Sequence, residues 1–141
     1  RFEQRTGLFG NQRQERIRLE AEAILLILGR CEAGVWQWFS SAVVEEEINN
    51  TPSHERRSRV RNMLSGAHST VALADTASAR AQELKAMGFR TYDALHLACA
   101  EQATADVFLT TDDRLLRIAS RQQGQLQVRV ANPLEWLLEV T

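Results

Sequence analysis

The chain has 141 residues and a formal net charge of −1, with 44% hydrophobic and 25% charged residues. This is the composition of an ordinary globular domain with enough residues to bury a core, and its overall charge does not attract polyanions. The longest apolar run, residues 23–28, is too short to span a membrane, and the first residues show no export signal. Cys31 and Cys99 lie on apolar elements without metal-ligand spacing. We therefore expect one cytoplasmic domain, residues 1–141, with reduced thiols in its core.

The first half of the chain predicts helices and short strands. Apolar residues recur at helical spacing from residue 12 to residue 34, which indicates a long amphipathic helix with Gly34 as its stop. Charged residues between them, among them Arg16 and Glu20, are expected to face solvent. The elements that follow are predicted as a strand, two helices and a second strand, over residues 35–41, 42–50, 53–65 and 70–74.

The second half continues this alternation. Asp75 or Thr76 is expected to cap a helix that Gly88 closes, Thr91 to cap the next, and Asn132 to precede a helix that begins with proline. These elements are predicted as two helices, a strand, a helix, a strand and a helix, over residues 77–88, 92–103, 107–110, 113–122, 126–130 and 133–140. Strands separated by helices favour a parallel sheet covered on both faces, with binding groups beyond the carboxyl ends of the strands.

Positive charge is concentrated in one stretch. Residues 54–61 read HERRSRVR, with four arginines and one glutamate. Two interpretations remain open for this stretch. It is either the solvated face of a helix or a local patch that contacts phosphates on an otherwise neutral protein.

Several carboxylates stand at the ends of apolar elements. Asp93 opens an almost wholly apolar helix, Asp112 and Asp113 follow a strand, and glutamates at 45–47 follow another strand. Each aspartate has a structural explanation, because a carboxylate at a helix start caps backbone N–H groups and favours the helix dipole. The alternative is a cluster of acids that holds a cation, and oxygen ligands alone suit Mg²⁺ or Mn²⁺. His96, one turn after Asp93, is expected to pack beside such a site rather than to bind the ion.

The order of these motifs resembles a known family. Residues 91–119 read TYDALHLACAEQATADVFLTTDDRLLRIA, and residues 128–137 read VRVANPLEWL. An Asp-Ala-Leu-His-Leu-Ala helix, a spacer ending in Ala-Asp, a strand, Thr-x-Asp, and a strand leading to Asn-Pro resemble the C-terminal half of a PIN domain. In SSAVVEEEI, residues 40–48, a serine at a strand exit is followed six residues later by glutamate, as in that family. The resemblance extends from about Gly10 to Thr141.

The resemblance implies a fold, an activity and a site. The fold is an α/β, PIN-like three-layer α/β/α sandwich with a central, mainly parallel sheet. The activity is metal-dependent endoribonuclease cleavage of RNA phosphodiester bonds, and many relatives similar to VapC are the toxins of type II toxin–antitoxin pairs. Catalysis and binding of Mg²⁺ or Mn²⁺ are assigned to Glu47, Asp93 and Asp112, with Ser41 and Thr110 in support. The implied partners are RNA, a cognate antitoxin and a second copy in a homodimer, without a membrane.

One departure from the family pattern concerns the start of the chain. The family begins with a central strand that ends in a metal-binding Asp, whereas residues 1–12 contain no Asp, only Glu3 as an acid, and no alternating pattern. Residues 1–10 are therefore atypical, and the first strand is not recognisable in them. The alternative function is a catalytically inactive PIN-fold binding or scaffold protein, or a fragment that lacks this Asp. An unrelated doubly wound domain that handles phosphates through Mg²⁺ is a third possibility.

Overall fold

The structure is a computed structural model that describes residues 2–41, 52–64 and 69–141. Helices and strands alternate along these residues. The elements are α1 (Phe2–Glu32), β1 (Phe39–Ser41), α2 (His54–Leu64), β2 (Ser69–Val71), α3 (Asp75–Ala86), α4 (Thr91–Gln102), β3 (Val107–Leu109), α5 (Asp113–Arg121), a 3₁₀ turn (Gln123–Gln125), β4 (Arg129–Ala131) and α6 (Pro133–Val140). The helix predicted over residues 42–50 lies outside the described residues. No described helix is long and apolar enough to cross a membrane.

The strands form parallel pairs, as the alternation of strands and helices predicted. β1 pairs with β2, with Phe39 opposite Ser69. β3 pairs with β4, with Val107 opposite Arg129. Within the described parts of the chain these are two separate two-stranded sheets, and neither β1 nor β3 has a second neighbour. The α/β fold is therefore confirmed, and among the described residues its parallel strands form two halves, β1–β2 and β3–β4.

Helix boundaries follow local signals only in part. The side chain of Asn132 accepts hydrogen bonds from the backbone N–H groups at the start of α6, and proline occupies the first helical position, as predicted. Gly88, with φ of 112°, closes α3 because the left-handed conformation there suits glycine. The predicted caps of α3 and α4 are wrong. Ala74 and Arg90 hold those positions without a side-chain cap, because the helices already include Asp75 and Thr91 as their first residues.

Helix α1 is longer than its hydrophobic pattern indicates. It is helical from Phe2, ten residues before the predicted start at residue 12. Residues 12–18 are exposed, and the first buried side chain after them is that of Glu20. From there its buried residues recur at helical spacing, at Glu20, Ala23, Ile27 and Cys31. The helix is therefore exposed over residues 12–18 and amphipathic from Glu20 onward.

Two clusters of buried residues fill the interior. The larger one joins α3, α4 and α5 with the approach to β4, and its most buried members are Leu84, Ala94 and Leu97, each with no exposed surface. The smaller one lies between α1 and α6 and contains Ala23, Ile27, Cys31 and Leu137, with tryptophans packed against it. Cys31 and Cys99 are both buried and form no disulfide, in agreement with the sequence.

Candidate active site

Asp112 is held at the exit of β3 by its neighbours in sequence. Beyond the last residue of the strand, the N–H of Thr110 still donates to Ala131 O at 3.0 Å. The Thr110 hydroxyl accepts a hydrogen bond from the Asp112 N–H at 3.1 Å. Asp112 Oδ1 accepts from the N–H groups of Arg114 at 2.9 Å and Leu115 at 3.1 Å, which caps α5. Among the described residues no group donates to Oδ2, so this half-buried carboxylate keeps one oxygen for another partner.

Asp93 occupies the first turn of α4, where the positive end of the helix dipole favours a carboxylate. Its side chain is half-buried, and the next residue, Ala94, is completely buried. Leu97, one turn further on, is also completely buried. The start of this helix therefore lies at the edge of the core rather than in open solvent, as the sequence indicated.

The other predicted site residues are only partly described. Glu47 lies outside the described residues, and Ser41 is described only by its backbone, which pairs with Val71 at the end of β1. Within the described residues, no three His, Cys, Asp or Glu side chains are grouped as a metal site. This finding does not test the predicted trio, because Glu47 is one of its members. Convergence of Glu47, Asp93 and Asp112 stays a prediction.

A polar network beside this site is not evident from the sequence. Arg16 on α1 donates to both carboxylate oxygens of Asp113, at 3.0 and 2.5 Å, and its Nε donates to Glu20 at 3.2 Å. The amide of Asn132 donates to the same oxygen of Glu20 at 2.5 Å, and both residues are buried, at 6 and 7% exposed surface. The prediction that Glu20 faces solvent is therefore wrong. A buried carboxylate needs partners, and the i,i+4 spacing of Arg16 and Glu20 is the signal that could have found them.

This network fixes the start of α5 next to Asp112. The hydrogen bonds from Arg16 lower the pKa of the Asp113 carboxyl, and the charge of Arg117 acts in the same direction. Asp113 was predicted to be a residue of the helix start without a family role, and it is indeed the first residue of α5. The structure adds that it ties α5 to α1. Because Asp113 begins α5 just after β3, its bonds to Arg16 bring that part of α1 next to the end of β3.

Glu3, the acid that the sequence offers before residue 12, lies far from Arg16 along the helix. Glu3 belongs to the first turn of α1, 13 residues before Arg16. At a rise of 1.5 Å per residue, this is about 20 Å along the helix axis. Residues 2–10 are helical, so they do not form the strand with which the family pattern begins.

A groove lies between the two halves of the sheet. It has a volume of about 980 Å³ and is lined by the segment that enters β1, by the whole of β3, and by the facing sides of α1 and α4. All three tryptophans of the chain, Trp36, Trp38 and Trp136, line it. Its walls are mainly apolar, and Thr110 and Thr111 stand at its end nearest Asp112. A second, smaller depression of about 730 Å³ runs along α5 and the outer side of β4.

Parallel strands joined through helices, with aspartates at a strand exit and at a helix start, define a class of α/β protein whose chemistry lies at the carboxyl edge of its sheet. The family comparison is more specific: the PIN domain model matches residues 13–121, well over half of the chain, and the chain belongs to the PIN domain family. Neither a curated protein nor a solved structure matches the chain. PIN domains are generally nucleases that use divalent metal ions. This membership sets aside the unrelated phosphate-handling domain.

Proposed function

We propose that this chain is the PIN portion of a metal-dependent endoribonuclease that hydrolyses RNA phosphodiester bonds. The observation that carries the proposal is Asp112, whose carboxylate is anchored through one oxygen at the exit of β3 while the other receives no hydrogen bond from the described residues. A capping role alone uses only one oxygen. In a family of nucleases, the second oxygen is well placed to bind a cation.

The donor set fits Mg²⁺ or Mn²⁺. Carboxylate oxygens from Asp112, Asp93 and Glu47 would hold such an ion, because hard divalent cations prefer oxygen ligands. When bound, the ion supplies Lewis acidity for the attack of water on a phosphodiester. The chain's own residues position these groups. Thr110 fixes the backbone of Asp112 through its hydroxyl, and the bond between Arg16 and Asp113 fixes the helix that follows.

The divided sheet bears on the alternative, a PIN-fold protein that does not cut. Between β1 and β3 the described chain leaves a groove rather than a strand, and the family resemblance implies a central strand that ends in an Asp. An ion bound by the remaining acids would have one anionic ligand fewer. We therefore propose that the chain as given cuts RNA feebly at most, and that full activity requires an aliphatic strand ending in Asp.

The decisive experiment compares two proteins on single-stranded RNA with Mn²⁺ or Mg²⁺. One is the chain as given, and the other carries an aliphatic strand ending in Asp ahead of Gly10. We expect cleavage by the second to exceed that of the first by roughly a thousandfold, because a first-strand carboxylate contributes several kcal/mol to ion binding and charge stabilisation.

The control is Asp93→Asn in the extended protein, which should abolish cleavage while leaving far-UV circular dichroism unchanged. Strong metal-dependent cleavage by the chain as given would show that another group replaces the missing Asp. Cleavage that survives Asp93→Asn would contradict the PIN mechanism itself.

We further propose that the protein acts in the cytoplasm as the toxin of a type II toxin–antitoxin pair and forms a homodimer. Free buried cysteines suit a reducing compartment. Helices α1 and α6 leave large apolar side chains on the surface, with Leu25 68% and Leu138 70% exposed. Light scattering should give a dimer mass at tens of micromolar, and a monomer mass would contradict the dimer. A short neighbouring gene whose product neutralises toxicity would support the toxin role.

A further inference from the structure

We infer that three arginines beside the candidate active site, Arg90, Arg114 and Arg117, form a strip that binds neighbouring phosphates of a single-stranded RNA. The choice of RNA as the ligand rests on the proposed function. The strip itself rests on the contacts and the exposure of the three side chains. It concerns how the substrate is held rather than how it is cut.

The arginines belong to the two elements that carry Asp93 and Asp112. Arg90 holds the N-cap position of α4, three residues before Asp93. The backbone N–H of Arg114 donates to Asp112 Oδ1 at 2.9 Å, and its side chain donates to the carbonyl oxygen of Gly88 at 3.2 Å. Gly88 precedes Arg90 by two residues, a span of at most about 7 Å. The Arg114 side chain therefore ties the start of α5 to the turn that precedes α4.

Arg117 extends the strip along α5. It follows Arg114 by three residues, so the two side chains are neighbours on one face of the helix, about 5 to 6 Å apart at their Cβ atoms. Leu115 and Ala119, four residues apart, are buried on another face of the same helix. The strip thus runs from the turn before α4 onto the outer side of α5.

The guanidinium groups of the strip are open to a ligand. Arg90 and Arg117 are exposed, and neither forms a hydrogen bond or an ion pair with any residue that the structure describes. Arg114 is half-buried and uses one nitrogen of its guanidinium for Gly88. A guanidinium group presents parallel N–H donors in a plane, which matches the oxygens of a phosphate.

The position of the strip favours RNA over another anion. In the proposed site the phosphate to be cut lies beside Asp93 and Asp112, and the phosphates next to it would meet arginines two or three residues away along the chain. The whole chain has a net charge of −1, so attraction of a polyanion has to come from a local group of cations. An acidic peptide would also find these arginines, but it would be repelled by the two aspartates beside them.

The test measures binding of a fluorescein-labelled, single-stranded RNA of mixed sequence to the chain as given. Anisotropy is followed in EDTA, so that no RNA is cut, and the salt concentration is raised stepwise. Arg90→Gln combined with Arg117→Gln should weaken binding at low salt by about tenfold or more. The slope of log Kd against log salt should fall by about 1.4, because each phosphate contact of a single strand contributes about 0.7. A purely structural role for these exposed side chains would leave the slope unchanged.

Arg59→Gln is the matched control, since it removes the same charge from an exposed position of α2, within the positive stretch 54–61. We expect less than a twofold change in binding and the same slope as for the unmodified chain. Equal losses at Arg59 and in the strip would show that any surface charge suffices, and would overturn the inference. Absence of RNA binding by the unmodified chain would overturn it as well.

Two further variants guard against loss of the fold. Arg90→Lys combined with Arg117→Lys keeps both charges and should keep the salt slope. If the double glutamine variant loses its far-UV circular dichroism spectrum, the two single variants replace it, each lowering the slope by about 0.7. Polyglutamate that binds as tightly as RNA, with the same dependence on both arginines, would make an acidic peptide the ligand and overturn the choice of RNA.

Binding in EDTA separates this inference from the proposed function. If the extended protein cuts RNA while the glutamine variants still bind RNA with an unchanged slope, the strip alone is contradicted. If the extended protein fails to cut RNA while binding depends on both arginines, the nuclease activity alone is contradicted.

Discussion

The two halves of the sheet differ in how completely they are built. The β3–β4 half rests on a cluster in which Ala94 and Leu97 have no exposed surface, and side chains cap the helix that follows each strand. In the β1–β2 half, Phe39 of β1 is 41% exposed and borders the groove. The difference shows that helices and caps form from local signals, whereas a sheet needs its neighbouring strands. Each half can be tested separately by substitution.

The largest change in the free energy of unfolding is expected when a side chain in each half is shortened to alanine. Leu97→Ala removes a completely buried side chain and should lower the free energy of unfolding by about 3 to 4 kcal/mol, because a cavity remains. Phe39→Ala removes a larger but partly exposed side chain and should cost about 1 kcal/mol. Urea unfolding followed by circular dichroism measures both. Equal losses would mean that the β1–β2 half is as well packed as the other.

The buried ion pair of the β3–β4 half gives the next effect. Arg80 donates to Glu101 at 2.8 Å, the backbone N–H of Gln127 donates to the same carboxylate at 2.8 Å, and the Glu101 side chain is almost fully buried. These bonds connect α3, α4 and the segment before β4. The hydrogen bond to Glu101 also raises the pKa of Arg80.

Glu101→Gln should lower the free energy of unfolding by about 2 kcal/mol, since it removes the buried partner of Arg80 and leaves that guanidinium only the exposed carboxylate of Glu83. The control is Glu139→Gln, which removes the exposed partner of Arg129 and should cost at most about 0.5 kcal/mol. Both are measured by urea unfolding. A Glu101 variant as stable as the control would mean that the network contributes little to the β3–β4 half.

Two substitutions at Asp112 separate its role as a helix cap from its proposed role as a metal ligand. Their effect on the free energy of unfolding is smaller. Asp112→Asn preserves an acceptor for the N–H groups of Arg114 and Leu115, so stability should change by less than about 0.5 kcal/mol. Asp112→Ala removes the cap and should cost about 1 kcal/mol. Both should lose any rise in melting temperature that Mn²⁺ gives the extended protein. Retention of that rise in Asp112→Asn would contradict a ligand role for Asp112.

Features that depend on a few neighbouring residues were predicted correctly from the sequence. The cap at Asp112, the Asn132–Pro133 helix start and the turn at Gly88 each depend on a few adjacent residues, and all three were predicted correctly. The prediction that Glu20 faces solvent was wrong because its burial depends on Asn132, which is 112 residues away. The start of α1 at Phe2 was also missed, since the helical spacing recognised in the sequence begins only at residue 12. Whether Glu47 joins the aspartates stays a prediction, because it depends on residues that the structure does not describe.

The smallest effect concerns pH and the link between α1 and the β3–β4 half. Hydrogen bonds from Arg16 lower the pKa of Asp113 below its value in the unfolded chain. The stability that this carboxylate contributes is therefore fully present above the unfolded pKa and is lost as pH falls through the folded pKa. The loss should begin as pH falls below the ordinary pKa of an aspartate, about 4, and continue toward lower pH.

Asp113→Asn should make the acid unfolding profile shallower in this range. Asp75→Asn is the matched control, since Asp75 also occupies the first position of a helix but forms no ion pair with any residue that the structure describes. Both substitutions remove a charge that favours the helix dipole, so the bond to Arg16, with a smaller effect from the charge of Arg117, distinguishes them. Urea unfolding midpoints are measured for both variants and for the unmodified chain as the pH is lowered. At low pH, only the midpoint of Asp113→Asn should converge with that of the unmodified chain. The same profile for both variants would mean that Arg16 adds nothing to the helix-dipole effect and that α1 is not held to α5 through this pair.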